Sequence, residues 1–234
     1  MYANEGHHWW FVARRKIIRR FLIKYFPHGA GEILEAGCGT GGNLELLEDF
    51  GSVHAMEMDE DARIMANSHN VCRVRNGKLP DNIPFTRSFN LICMFDVLEH
   101  VEDDSTALQA VKTKLYTNGK LLLTVPAYRF LWSSHDYAHQ HKRRYGLGGL
   151  VHLVENSGFK IINATYFNTL LFPMVAAVRL TNNIFGFSGG SDAAMPSRVL
   201  NRLFLKIFSS ERYLIPRFRL PFGVSILILA EKND

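Results

Sequence analysis

The sequence predicts an α/β fold, and three observations carry that prediction. Short apolar runs bounded by turn residues alternate along the chain with stretches whose apolar residues recur at helical spacing. The run Phe89-Asn90-Leu91-Ile92-Cys93-Met94-Phe95 is nearly all apolar, as a central strand covered on both faces requires. Ahead of it, Ile33-Leu34 leads into Gly37-Cys38-Gly39-Thr40-Gly41-Gly42 and then into Asn43, Leu44, Leu46 and Leu47, a strand, a tight loop and a helix in succession. A length of 234 residues suits one doubly wound domain of this kind and is enough to bury a full core.

Taken in order, the first element is a helix from Phe11 to Phe26, with Ile17, Ile18, Phe21, Leu22 and Tyr25 on one face and Arg14, Arg15, Arg19, Arg20 and Lys24 forming a solvated basic face. Pro27-His28-Gly29 stops it. His7, His8, Trp9 and Trp10 precede it, and paired tryptophans at a chain end seldom stay fully exposed. After the first strand and its glycine turn, Val53–Glu57 is the second strand, and Met58-Asp59-Glu60-Asp61 opens a helix whose early acids suit the helix dipole. Val71–Arg75 is the third strand and Phe89–Phe95 the fourth. A helix from Asp103 to Tyr116 is ended by Asn118-Gly119, and Lys120–Val125 is the fifth strand, stopped by Pro126. A long loop to Tyr145 follows, then a helix over Leu147–Asn156 and a sixth strand over Phe159–Phe167. Before the last strand, Gly223–Ala230, the chain makes an excursion of two helical pieces divided by Ser188-Gly189-Gly190-Ser191 and Pro196. In the second piece Arg198, Arg202 and Lys206 fall four apart, opposite Leu200, Leu203, Phe204 and Ile207. Its default reading is a lid packed on the domain, with a membrane-surface or dimer helix as the rival.

Composition narrows the class. A formal net charge of +5 is spread along the chain rather than gathered in a tail, so nucleic acid is not expected. The apolar runs Leu170–Val178 and Val224–Ala230 fall far short of a membrane span, and no secretory signal opens the chain. Cys38, Cys72 and Cys93 are odd in number and lack a metal spacing, which predicts free thiols in a reducing, cytoplasmic compartment.

The glycine turn alone fits two ligand classes, because Gly37, Gly39 and Gly42, with Glu57 further on, also match the dinucleotide pattern. Glu35 separates them. A carboxylate at the end of the first strand repels a pyrophosphate in a poorly screened crevice, whereas it attracts the ammonium and sulfonium of S-adenosylmethionine. Here the sequence resembles the class I S-adenosylmethionine-dependent methyltransferases, whose first motif reads E/D-x-G-x-G. The segment Asp96-Val97-Leu98-Glu99-His100-Val101 is similar to the L-E-H-V segment of their ubiquinone-biosynthesis type (type 11). The resemblance implies a Rossmann-like, doubly wound sheet of seven strands, mostly parallel with the last strand antiparallel, and a helical insertion before that strand. It implies a single domain made of an N-terminal helical lid (1–30), a cofactor-binding core (31–167), the insertion (168–218) and the last strand (219–234). It also implies that S-adenosylmethionine is the cofactor and S-adenosylhomocysteine the product. Matched position by position, it places the cofactor against Glu35, Gly37, Cys38, Gly39, Thr40 and Asn43. Glu57 takes the ribose hydroxyls with Met58 beside it, Asn76 and Gly77 lie at the adenine, and Phe95, Asp96 and Leu98 close the site. Asn76 stands where the family usually has an aspartate.

Open parallel sheets bind ligands past the carboxyl ends of their strands, which brings Asp96, Glu99, His100 and the Trp132–Tyr145 loop to one place. His100, His135 and His139 are the candidate proton acceptors. Arg143 and Arg144 are candidates to fork an anionic acceptor, with Asp136 among them and Trp132 and Tyr145 packing on its apolar part. A metal held by His135, Asp136, His139 and His141 is the rival reading, but the spacing fits no strong pattern and no metal is assigned. The expectation is methyl transfer, first to oxygen, on a small-molecule or lipid-linked acceptor, with peripheral membrane contact and a homodimer left open. A non-catalytic cofactor-binding scaffold and an NAD(P)-dependent oxidoreductase stand as the alternatives.

Overall fold

The computed structural model describes residues 5–185 and 195–233. Among these, seven strands form one sheet in the order β3-β2-β1-β4-β5-β7-β6. They are β1 (Gly31–Ala36), β2 (Gly51–Glu57), β3 (Val74–Asn76), β4 (Phe89–Phe95), β5 (Leu115–Pro126), β6 (Phe159–Phe167) and β7 (Ser225–Lys232). The first five run parallel, and β7 is antiparallel to both β5 and β6. Strand alternation sorts one sequence run into two cores. Ile33, Leu91, Cys93, Leu227 and Leu229 face one layer, while Leu34, Ile92, Met94, Ile226 and Ile228 face the other.

The first layer is closed by α1 (Trp9–Tyr25) through Ile17, Ile18, Phe21 and Leu22, together with α2 (Leu44–Glu48) and α3 (Glu60–Asn67). The second is closed by α4 (Asp104–Thr113) and α6 (Leu147–Asn156) through Leu108, Val111, Leu150 and Val154. Caps fall where the sequence places them: the Asp59 side chain accepts from the Ala62 N–H, and Asp103 accepts from the Thr106 N–H. Between β6 and β7 lie α7 (Phe172–Phe185) and α8 (Arg198–Ser210). The latter packs on α1, with Trp9 edge-on to Phe204 and Phe208. The glycine-serine divider at 188–191 lies outside the described residues.

Four expectations change. Asn118-Gly119 does not stop the preceding helix; that helix ends at Thr113, and Asn118, at φ 61, makes an irregularity inside a longer β5. The third strand starts at Val74, so Cys72 lies before it. The Trp132–Tyr145 loop contains a short helix, α5 (Ser134–Ala138). Arg14 is not part of a solvated face but is buried. Cys38, Cys72 and Cys93 are all unpaired thiols. No described helix is long and apolar enough to cross a membrane.

Candidate active site

The carboxyl ends of β1, β2, β4 and β5 open into a cleft of about 1040 Å³. One half rests on backbone. Gly37 adopts φ +77, and a Cβ there would stand 2.7 Å from Val97 Cγ2, so no other residue fits the turn. Gly39, at φ +55, has no described heavy atom within 4 Å of its missing Cβ. Its N–H donates to Glu57 Oε2 at 2.8 Å, and the Met58 and Asp59 N–H groups donate to Glu57 Oε1 at 2.8 and 2.9 Å. Three backbone donors thus fix this carboxylate at the end of β2 with lone pairs left over for a diol. Glu35 is buried, and its Oε1 accepts from Asn43 Nδ2 at 2.8 Å, while Oε2 meets no donor among the described residues. Burial pushes its pKa up to about 8, against the bond from Asn43 and the charge of Arg14.

The other half rests on side chains. Asp96, at the left-handed φ of 55, accepts from Thr124 Oγ1 and pairs with Arg14, whose guanidinium lies 4.5 Å above the Trp10 ring. Glu99 is fully buried, neither of its oxygens has a hydrogen-bond partner among the described residues, and burial with nearby Asp96 holds its pKa well above the usual carboxylate range. His100 lies 4.8 Å from His141 between ring centroids, and burial together with His141 lowers its pKa to about 4. The His135 and His139 rings lie tilted against each other, their centroids 4.3 Å apart, and both are within about ring-contact distance of His141, at 5.9 and 6.0 Å.

Asp136 organises this half. Its buried carboxylate accepts from Arg144 Nε at 2.7 Å and Nη2 at 3.0 Å, from the Ser133 N–H at 2.8 Å, and pairs with His141 Nδ1 at 2.8 Å. Burial alone would raise its pKa, but the His141 and Arg144 contacts outweigh it and hold it below the usual range.

The cleft is lined by Gly37, Cys38, Gly39, Asn43, Glu57, Met58, Gly77 and Phe95 on one side and by Asp96, His100, His135, His139 and Arg144 on the other. Glu35 lies beneath the loop rather than on the wall. Thr40, Asn76, Leu98, Trp132, Asp136, Arg143 and Tyr145 do not line it. Leu98 is core, Asn76 is exposed at the end of β3, and Tyr145 is buried with its hydroxyl 3.0 Å from Asp104. Neither arginine offers an unengaged fork: Arg143 donates to Asp104 and the Glu102 carbonyl, and Arg144 holds Asp136.

Sequence reasoning missed Arg14 and the α7 wall of Met174, Val175, Val178 and Arg179, and named His141 only as a ligand in the rival metal reading. A signal existed for Arg14, which lies three, four and seven residues before Ile17, Ile18 and Phe21 and therefore shares their buried stripe. No signal existed for the pairing of His141 with Asp136, which is set by the fold of the loop.

The methyltransferase domain family model matches residues 8–164, and the chain belongs to that family. A protein of Encephalitozoon cuniculi, named provisionally as a methyltransferase, is 25% identical over 184 residues, covering 69% of this chain and 82% of that one. Solved structures share the fold. A chain of the Haloferax volcanii complex between the Trm112 methyltransferase activator and a provisional methyltransferase has a TM-score of 0.64 at 15% identity, covering 99% of this chain and 93% of that one. Phosphoethanolamine N-methyltransferase 2 of Haemonchus contortus, in complex with phosphomonomethylethanolamine and S-adenosylhomocysteine, has a TM-score of 0.58 at 17% identity, covering 92% of this chain and 52% of that one.

Proposed function

We propose that the chain transfers the methyl group of S-adenosylmethionine to an oxygen of a small or lipid-like anionic acceptor. The observation that carries this reading is one continuous cleft, with Glu57 on its wall and Glu35 beneath its glycine loop at one end and the histidine cluster at the other. The residues present fit the cofactor. Glu57 keeps acceptor capacity for a ribose diol, Gly39 leaves room above the loop, and the unsatisfied Oε2 of Glu35 calls for a cation. S-adenosylmethionine supplies a methyl group made electrophilic by its sulfonium. The chain's own part is alignment and exclusion of water, because an in-line displacement gains most from a fixed approach of its two partners. Trp9, Trp10 and Arg14 of α1 roof the cleft as a lid, and Asp96 holds that lid through Arg14.

Lys142 and Arg179 line the acceptor end beside the histidines, and α7 adds an apolar wall through Met174, Val175 and Val178. That mixture suits an acceptor with an anionic head and an apolar body. The exposed Val199, Leu200 and Leu203 beside Arg198 and Arg202 on α8 fit peripheral contact with an anionic membrane, at which such an acceptor would reside.

Calorimetric titration with S-adenosylhomocysteine and with NAD(H) tests the class: saturable binding of the first alone is expected, and binding of the second alone overturns the reading. Co-sedimentation with phosphatidylglycerol vesicles at low salt, released at high salt, tests the membrane contact, and no sedimentation at low salt refutes it.

A further inference from the structure

We propose that Glu99, His100 and His141 form a binding site for a divalent transition-metal ion of the Zn²⁺ class at the acceptor end of the cleft. One donor atom from each of these residues lies within 4.8 Å of the other two. Ligands of a tetrahedral zinc ion stand roughly 3.3 Å apart, so side-chain movements of about an ångström close the triangle.

Glu99 is the independent sign that something binds. A fully buried carboxyl group whose two oxygens find no hydrogen-bond partner among the described residues is costly to desolvate, and a bound cation would offset that cost. Arg14 and Arg144 act on Glu99 only through charge at a distance, for neither hydrogen-bonds it: Arg14 is engaged by Asp96 and Arg144 by Asp136.

The histidines are also held as ligands need to be. Asp136 pairs with His141 Nδ1 at 2.8 Å, which places the proton on that nitrogen and leaves the Nε2 lone pair at the opposite edge of the ring. The His139 backbone holds the His100 ring. Asp136 itself is fixed by Arg144 and Ser133, so the carboxylate behind His141 is rigid. This is the carboxylate–histidine–metal arrangement, with its outer carboxylate already in place.

The donor set selects the ion. Two imidazoles and one carboxylate suit Zn²⁺, Co²⁺ or Fe²⁺ and not Mg²⁺, which prefers oxygen. Three protein ligands leave further positions open, the mark of a reactive rather than a structural site, and His100 and His141 both line the cleft. Resting on the methyl-transfer reading above, the ion's role is to acidify the acceptor hydroxyl. The O–H proton leaves to water, the oxygen lone pair forms the new C–O bond, and the C–S pair returns to sulfur as a neutral thioether.

The test uses the full chain freed of metal by chelator and titrated with Co²⁺, read by its visible d–d absorption, and with Zn²⁺ and Mg²⁺ by calorimetry. About one equivalent of Co²⁺ and of Zn²⁺ should bind, Mg²⁺ should not, and Glu99→Gln and His141→Ala should each abolish binding. Asp136→Asn should weaken it about 10- to 100-fold. No saturable Co²⁺ binding in the unaltered chain, or binding that survives both Glu99→Gln and His141→Ala, overturns the site. If Glu99→Gln does not fold, His141→Ala alone decides. S-adenosylhomocysteine titration of the same samples keeps the two readings apart, since its failure would remove the methyltransferase reading and leave the metal site standing.

Discussion

In the cofactor half of the cleft, Glu57 is held by the N–H groups of Gly39, Met58 and Asp59, all from the turns that follow β1 and β2. In the acceptor half, Asp136 is held by Arg144 and His141, Asp96 by Arg14 of a distant helix, and Glu99 by no described partner. Backbone donors come with the fold and survive most substitutions, whereas each side-chain contact is lost with one residue. The comparison therefore predicts that the acceptor half is the fragile one and the cofactor half the tolerant one.

The largest effect should come from Asp136→Ala. It leaves the nearly buried Arg144 guanidinium and His141 without their shared partner, and breaking such a buried pair costs roughly 3–5 kcal/mol. A fall in stability of that size by urea or thermal unfolding is expected, and a variant as stable as the parent would break the comparison. Glu57→Ala, by contrast, should leave stability almost unchanged and lose about 1–3 kcal/mol of S-adenosylhomocysteine affinity, the usual cost of deleting a charged hydrogen-bond partner. Unchanged affinity in that variant would remove Glu57 from the site.

What was legible in the sequence divides along the same line. Ile33-Leu34, the Gly37–Gly42 turn and the run Phe89–Phe95 were readable because strand alternation and backbone conformation are local properties. Asn118-Gly119 misled because the same dipeptide serves a helix stop or a bend within a strand, and only the pairing of β5 with β4 decides. Arg143 and Arg144 were legible as charges but not as engaged ones, since Asp104 and Asp136 reach them only after the loop has folded. Met174 and Val178 carry no motif at all; they meet the cleft because α7 crosses it.

A smaller effect sharpens the contrast through pH. Burial lifts Glu35 from an ordinary 4.5 to about 8, so at neutral pH its carboxyl is largely protonated in the ligand-free fold and ionised in the unfolded chain. The sign follows: its contribution to stability is complete below about pH 4.5 and is lost as pH rises through about 8. A cationic ligand needs the ionised form, so binding of S-adenosylmethionine near pH 7 should release about one proton. Calorimetry in buffers of different ionisation enthalpy measures this, and Glu35→Gln should abolish it. Equal proton release by the variant would detach Glu35 from the cation.

The smallest effect is expected at Arg143, and it tests whether the acceptor half is fragile throughout or only at its buried centre. Arg143 is half-exposed, donates to Asp104 Oδ2 at 2.9 Å and to the Glu102 carbonyl at 2.6 Å, and does not line the cleft. Ion pairs that water reaches contribute no more than about 1 kcal/mol, because solvent screens them and two long side chains must be held still. Asp104 also keeps its contact from the Tyr145 hydroxyl at 3.0 Å, so removing Arg143 strands no buried charge. Arg143→Ala should therefore unfold within about 1 kcal/mol of the parent and keep its S-adenosylhomocysteine affinity. A loss of several kcal/mol would mean that the whole Trp132–Tyr145 loop depends on this outer pair as much as on Asp136. Unchanged stability with methyl transfer lost would mean that Arg143 leaves Asp104 and takes hold of the acceptor once it is bound.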